Sequence, residues 1–254
     1  MRPIACAALA VVASGQDKKA GPEYLSTGRL PHFAGRYKSA LGERVEKPGK
    51  ERLTIAGSLT AGGKTVPATI RWELPGQFRL DQTGGGRPIL VNGPGLALGK
   101  SQAALDAGEE ALAESLLYDR CESVLYGIAT GFPARLIGEH VRQGRNLGPG
   151  YSGPYYDVVD IVAKADGRTT SPTRHKRFLF DSFTGLLQRV LYRAPGTTGA
   201  ENLVETVFDQ WTTIDGSPFP LVTERRVNGT VVMRFQASTH LVGAKVADGA
   251  FENP

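Results

Sequence analysis

At 254 residues the chain is long enough for one sizeable core, since single domains hold about 100–250 residues and β-rich ones reach the upper end. Its net charge of +5, from 30 basic and 25 acidic residues, is scattered and often interleaved, which excludes the clustered basic face of a nucleic-acid binder.

Residues 1–15 read as a secretory signal. Arg2 supplies a positive start, Ile4–Ala13 an apolar run, and Ala13-Ser14-Gly15 small residues before a cut at Gln16. The run is far shorter than the roughly 20 apolar residues a bilayer span needs. Cys6 precedes most of that run, where a lipidation cysteine would follow it, so plain export to the periplasm or medium is expected, not a lipoprotein anchor. Cleavage leaves a charge of +4 (29 basic minus 25 acidic), compatible with mild attraction to a membrane surface or simply with solubility. It also leaves Cys121 as the only cysteine, so no intramolecular disulfide can form. Residues 16–34, broken by Gly21, Pro22, Gly28 and Pro31, read as a flexible segment ahead of one domain over residues 35–254.

A short helix is expected over 35–45, stopped near Lys47-Pro48-Gly49. Strands follow at Arg52–Ala61, Val66–Leu74, Gln77–Gln82 and Arg87–Asn92, punctuated by Gly62-Gly63 and Pro75-Gly76. The second places Val66, Ala68, Ile70, Trp72 and Leu74 on one face by strict alternation. Between Ser101 and Ile128 the apolar residues Leu105, Leu112, Leu116, Leu117, Cys121, Val124 and Ile128 step mostly by three, four or seven. Asp106, Glu109, Glu110 and Glu114 fall opposite them. This predicts an amphipathic helix capped by Ser101, with Cys121 buried on its apolar side, and a shorter helix over Ala134–Gln143. After a Gly/Pro/Tyr loop at Gly144–Tyr156 come strands at Tyr156–Lys164, Lys176–Phe180, Leu186–Arg193, Asn202–Trp211, Phe219–Val227 and Thr230–Ser238. A turn is expected at Asp215-Gly216 and Pro218-Phe219-Pro220, and a hairpin at Asn228-Gly229, whose residues both tolerate positive φ. Val231, Met233, Phe235 and Ala237 should share a face. Strands, helix and strands joined by short turns predict an α+β fold, one antiparallel sheet with a helical layer.

The candidate catalytic motifs fail on their own chemistry. In Gly93–Ser101 (GPGLALGKS) the first glycine of a phosphate-binding loop should stand at residue 94, which is Pro94. Gly148–Gly153 (GPGYSG) follows a helical pattern, not a strand, and Pro149 interrupts its amides. His32, His140, His175 and His240 are far apart, with no second ligand pair for a metal. Gly57-Ser58 and Gly216-Ser217 match no nucleophile elbow. Asp181–Gly185 (DSFTG) has too few oxygen ligands for calcium and reads as a turn held by local hydrogen bonds. Neither cofactor nor enzymatic activity is therefore expected.

Three segments resemble the LolA-like family of exported lipoprotein-carrier and outer-membrane lipoprotein-sorting proteins: LPGQFRLD (Leu74–Asp81), RFLFDSFTGLLQRVLYR (Arg177–Arg193), and FDQWTTIDGSPFPLVTERRVNG followed by a late FENP. Their order along the chain carries the resemblance, over roughly residues 35–254. It implies a strongly curved β half-barrel with helices packed on its concave face and an apolar cavity for acyl chains between them. The expectation is a non-enzymatic bacterial-envelope protein binding or carrying a lipid or other apolar ligand, with envelope proteins or the membrane surface as further partners. Ile70, Trp72, Phe78, Phe178, Phe180, Val207 and Phe235 are the candidate cavity walls. The alternative is a structural or interaction module of the envelope with a filled core.

Overall fold

The structure, a computed structural model, describes residues 30–41, 52–73, 77–84, 87–92, 100–101, 105–121, 134–142, 154–163, 174–196, 199–214, 217–238 and 251. The expected leader, most of the 16–34 segment, the turns at residues 74–76 and 215–216, and the glycine-rich loops at 93–99 and 144–153 lie outside the described residues.

Twelve strands form one antiparallel sheet. They are β1 Arg52–Ala61, β2 Lys64–Glu73, β3 Gln77–Gln82, β4 Ile89–Asn92, β5 Lys100–Ser101 and β6 Ala134–Arg142. The rest are β7 Tyr155–Ala163, β8 Arg174–Asp181, β9 Leu187–Pro195, β10 Glu201–Ile214, β11 Ser217–Val227 and β12 Thr230–Ala237. The spatial order is β5-β4-β3-β2-β1-β12-β11-β10-β9-β8-β7-β6. Every neighbour is therefore sequential except β1, which pairs with β12 and joins the two meanders. The sheet is open, with β5 and β6 at its edges. Two α-helices, α1 Leu30–Leu41 and α2 Ala107–Ala113, complete the described elements with a π-helical turn at Glu114–Tyr118. Among the described residues no helix is long and apolar enough to cross a membrane.

Turn chemistry sets the register. Gly62 and Gly63 (φ 56° and 75°) close β1–β2, and Asn228 and Gly229 (φ 50° and 84°) close β11–β12, both the left-handed pairs a tight hairpin requires. In the β8–β9 turn, Asp181 Oδ1 accepts hydrogen bonds from the backbone amides of Phe183 (3.0 Å) and Thr184 (2.7 Å) and from the Thr184 hydroxyl. Gly185, at φ 72°, passes against α1, where an added Cβ would meet Ala40 Cβ at 3.0 Å.

One face of the sheet is apolar and bears the helices. On β2, Ala68, Ile70 and Trp72 are buried in the expected alternation. Cross-strand pairs extend that face: Ile55 and Ile70 pair, and Leu80 of β3 stands opposite Ile70 on β2 and Ile89 on β4. Two clusters result. In one, Phe33, Tyr37 and Leu41, four residues apart on α1, pack with Phe178, Phe180, Leu187, Val190, Tyr192 and Phe208. Tyr37 stacks on Phe180 at 3.9 Å between ring centroids, and Arg36 pairs with buried Asp157 at 3.0 Å. In the other, Leu116, Leu117 and Tyr118 of the π-turn pack on Ile55, Ile70, Trp72, Phe78, Phe219 and Phe235.

Several expected boundaries are corrected. The helix expected over 35–45 begins earlier, at Leu30, and takes the end of the expected linker. Lys100–Ser101 is a strand, so Ser101 caps nothing. Asp106 caps α2 instead, accepting from Gly108 and Glu109 amides while the Glu109 carboxylate takes the Asp106 amide, a capping box. Ala134–Arg142 is strand β6, not a helix; its register slips at Leu136/Gly138 and again at Gly138/Val141, and those slips erase the period-two signal. A slip at Arg225/Arg226 likewise turns Val231 out to solvent, away from buried Met233, Phe235 and Ala237. Pro218 and Pro220 belong to β11, not to a turn. Both stand opposite β10 residues, Thr213 and Trp211, and among the described residues β12 pairs with β11 only from Val222 onward, which leaves that side of the prolines at the edge of the ladder.

Candidate functional site

Between the two apolar clusters lies a buried polar network, and its geometry starts from a local irregularity. After α2 the Asp119 amide donates to the Glu114 carbonyl at 2.9 Å, a five-residue step. In a regular α-helix, residues five apart point about 140° away from each other. The wider π-turn brings them round to the same side, so Glu114 and Asp119 both face the sheet, 3% and 0% exposed.

The sheet answers with cations and hydroxyls from four successive strands. On β8 and β9, Lys176 and Tyr192 stand opposite each other. On β10 and β11, Thr206 and Arg225 do the same. Lys176 Nζ donates to Asp119 Oδ1 at 2.5 Å and lies 3.0 Å from Glu114 Oε1. The Thr206 hydroxyl donates to Asp119 Oδ2 at 2.6 Å. The Tyr192 hydroxyl donates to Glu114 Oε2, and Arg225 Nη1 lies 2.6 Å from that hydroxyl, 3.1 Å from Ser115 Oγ and 3.3 Å from Glu114 Oε2. Two carboxylates thus face two cations, so the network is charge-balanced and hydrogen-bonded throughout, as buried ions must be. Arg120, next in the chain, lies instead over the rings of Trp72 (4.5 Å) and Phe219 (4.8 Å).

Burial is the largest single influence on each proton equilibrium here, though not always the winning one. It pushes the Asp119 carboxyl above its ordinary range despite the attraction of Lys176. It works to lower the Lys176 pKa, but the fields of Asp119 and Glu114 outweigh it and hold the ammonium protonated beyond the usual lysine range. Tyr192 is pushed up, by burial first and by both carboxylates second. Arg225 is raised as well, burial being overcome by Tyr192, Glu114 and Asp119.

The candidate wall residues fall on both sides of this network. Ile70, Trp72, Phe78 and Phe235 are buried in the cluster under the π-turn, and Phe178 and Phe180 in the cluster under α1. Val207 differs. Its neighbours Thr206 and Phe208 are buried while it is half-buried, on the opposite face, opposite Glu224 in a field of ion pairs formed by Arg189, Glu205, Arg226 and Arg234. A separate cavity of about 270 Å³ lies at the end of β1–β3, lined by Leu59, Ala61, Lys64, Val66, Gln82, Thr83 and Gly84. Cys121 is buried, as expected. Among the described residues no group of three or more His, Cys, Asp or Glu is placed to hold a metal.

The polar network went unrecognised in the sequence, where Glu114 fell on the polar side of an expected α-helix. A usable signal lay in strand parity. Lys176 shares a face with Phe178 and Phe180, and an ionisable group on an apolar stripe requires a buried partner.

The same arrangement of sheet and helices occurs in solved structures. The chain is similar to a LolA superfamily protein from Nitrosomonas europaea, with 11% identity and a TM-score of 0.52 over 85% of this chain and 96% of that one. It is similar to a DUF1329 family protein from Desulfovibrio piger to the same degree, with 13% identity and a TM-score of 0.52 over 88% of this chain and 97% of that one. At such identities the likeness shows the fold, which is LolA-like. No sequence-family profile matches the chain, and no curated protein sequence matches it.

Proposed function

We propose that this protein is an exported bacterial-envelope protein that binds or carries a lipid or other apolar ligand between a curved sheet and its helical cover. The observation that supports it is the contrast between the two sides of that core. The sheet offers an apolar face from Val91 on β4 to Val159 on β7, divided into two clusters by the buried polar network. Its described cover is only a twelve-residue helix and a short α2–π segment. On this reading one of these described covers swings aside to admit the ligand onto the apolar floor. Burying an acyl chain there contributes about 0.8 kcal/mol per methylene. The LolA-like fold supports the same assignment.

In this proposal residues 1–15 are a cleaved signal, residues 35–254 form one domain, and the sheet curves into a half-barrel around the ligand. Ile70, Trp72, Phe78, Phe178, Phe180 and Phe235 become walls when the cover moves. Val207, on the other face, is the weakest of the seven. No catalytic role is assigned. One observation favours the rival, an envelope interaction module with a filled core. Ile70, Phe78, Phe178 and Phe180 are 0% exposed, packed by the chain's own side chains.

Titration of delipidated protein with a fluorescent fatty acid separates the two. Saturable binding near one equivalent, displaced by unlabelled lipid, supports the carrier. Absence of saturable binding supports the filled core.

A further inference from the structure

The network's charges are divided by element. Both carboxylates, Glu114 and Asp119, come from the cover. Both cations, Lys176 and Arg225, come from the sheet together with the hydroxyls of Tyr192 and Thr206. The four sheet residues sit on β8 to β11, interior strands each hydrogen-bonded on both sides, and so hold their positions if the cover moves. The cover is the movable partner. Its helix has seven residues and passes into a single π-turn, a rare form that recurs at functional sites.

We propose that Lys176, Tyr192, Thr206 and Arg225 form the anion site for the phosphate head of an amphipathic ligand, and that Glu114 and Asp119 fill it while the ligand is absent. This rests on the apolar-ligand function proposed above and names the ligand's head.

The fit is one of charge, donor number and position. Two carboxylates carry two negative charges into the site. A phosphomonoester at neutral pH carries about 1.5 to 2, on three acceptor oxygens. The ammonium, the guanidinium and two hydroxyls match that set, and cation–phosphate hydrogen bonds are among the stronger ones. The site also lies between the two apolar clusters. Phe178 and Val190 flank Thr206 in the same cross-strand row on one side, and Met233 flanks Arg225 on the other. A head bound there leaves its chains on apolar surface in either direction. A free phosphate shares the head's chemistry but gains nothing from those flanks.

The test uses the full mature chain and short-chain lipids below their micelle concentration, and compares the wild type with two variants. In the wild type, dioctanoyl phosphatidic acid should bind roughly tenfold more tightly than dioctanoyl phosphatidylcholine. Inorganic phosphate should bind far more weakly than either. Glu114→Gln with Asp119→Asn removes the internal competitor at constant shape, and should tighten phosphatidic acid by a further tenfold or so while leaving phosphatidylcholine unchanged. Adding Lys176→Gln and Arg225→Gln to that double variant keeps the site free of unbalanced charge, and should erase the preference. Thermal unfolding of each variant establishes that it is folded. Equal affinity of the wild type for the two lipids would overturn the anion site while leaving the apolar-ligand function standing. Phosphate binding as tight as phosphatidic acid would overturn the amphiphile as its source. Persistence of the preference in the quadruple variant would place the head elsewhere and overturn the proposal, and binding of neither lipid would overturn both readings.

Discussion

Replacing Lys176 by methionine keeps the apolar stem of the side chain and removes only the ammonium. The Lys176 side chain is 6% exposed and its nitrogen lies 2.5 Å from Asp119 Oδ1 and 3.0 Å from Glu114 Oε1. Its loss leaves Asp119 with the Thr206 hydroxyl, and Glu114 with Tyr192 and Arg225. Removing one partner of a buried ion pair costs about 3–5 kcal/mol, because the remaining charge stays desolvated. For a chain of this size each kcal/mol lowers the melting temperature by about 2–4 °C, giving a drop of roughly 6–20 °C. Adding Asp119→Asn should restore at least about half of the loss, since the amide oxygen still accepts from Thr206 and no unpaired charge remains. Urea unfolding of the wild type, the single and the double variant measures both steps. A single-variant cost below about 1 kcal/mol, the value typical of exposed pairs, would refute a closed, dry network. So would a double variant no more stable than the single.

Alkaline pH tests the same network through proton linkage. Lys176 and Tyr192 keep their protons in the folded chain where the unfolded chain releases them, at about pH 10.4 and 10. Their stabilisation is therefore complete below about pH 10 and is lost as pH rises above it, at about 1.4 kcal/mol per pH unit for each group. Tyr192→Phe should flatten the decline between pH 10 and 11.5 by about that amount, and identical slopes for variant and wild type would count against it. Asp106→Ala removes an oxygen that accepts from the Gly108 and Glu109 amides, both at 2.8 Å, and should cost about 0.5–2 kcal/mol in thermal unfolding. Asn228→Ala puts alanine at φ 50° and loses the 2.9 Å bond to the Leu203 amide. It should cost about 1–2 kcal/mol, and Asn228→Gly less, because glycine restores the backbone though not the bond. Phe178→Ala should cost about 3–5 kcal/mol, and Val207→Ala on the half-buried face clearly less.

Local rules made the regular parts of the fold legible. Ala68, Ile70 and Trp72 alternate without interruption on β2, and that strand was readable to within two residues. Asn228-Gly229 and Asp181–Gly185 carry their own conformational requirements and were readable as turns. Several failures occur where one residue is inserted into a period. Register slips in β6 and at Arg225/Arg226 shift side chains between faces, which hid a strand and turned Val231 outward. The π-turn does the same to a helix. It rotates Glu114 and Asp119 together toward the sheet, and no α-periodic reading of the sequence brings those two onto one face. The partners of this network are just as distant in the chain, Glu114 and Arg225 standing 111 positions apart. Their meeting depends on a sheet order that only the fold supplies.

What the sheet and its cover enclose is tested most directly by native mass spectrometry of the protein released gently from a bacterial host, with extraction and identification of whatever co-purifies. An exported lipid-binding protein should appear with a stoichiometric adduct of lipid mass that vanishes on delipidation and returns on adding lipid. A single species at the polypeptide mass, unchanged by added lipid, would contradict that account and leave the filled core.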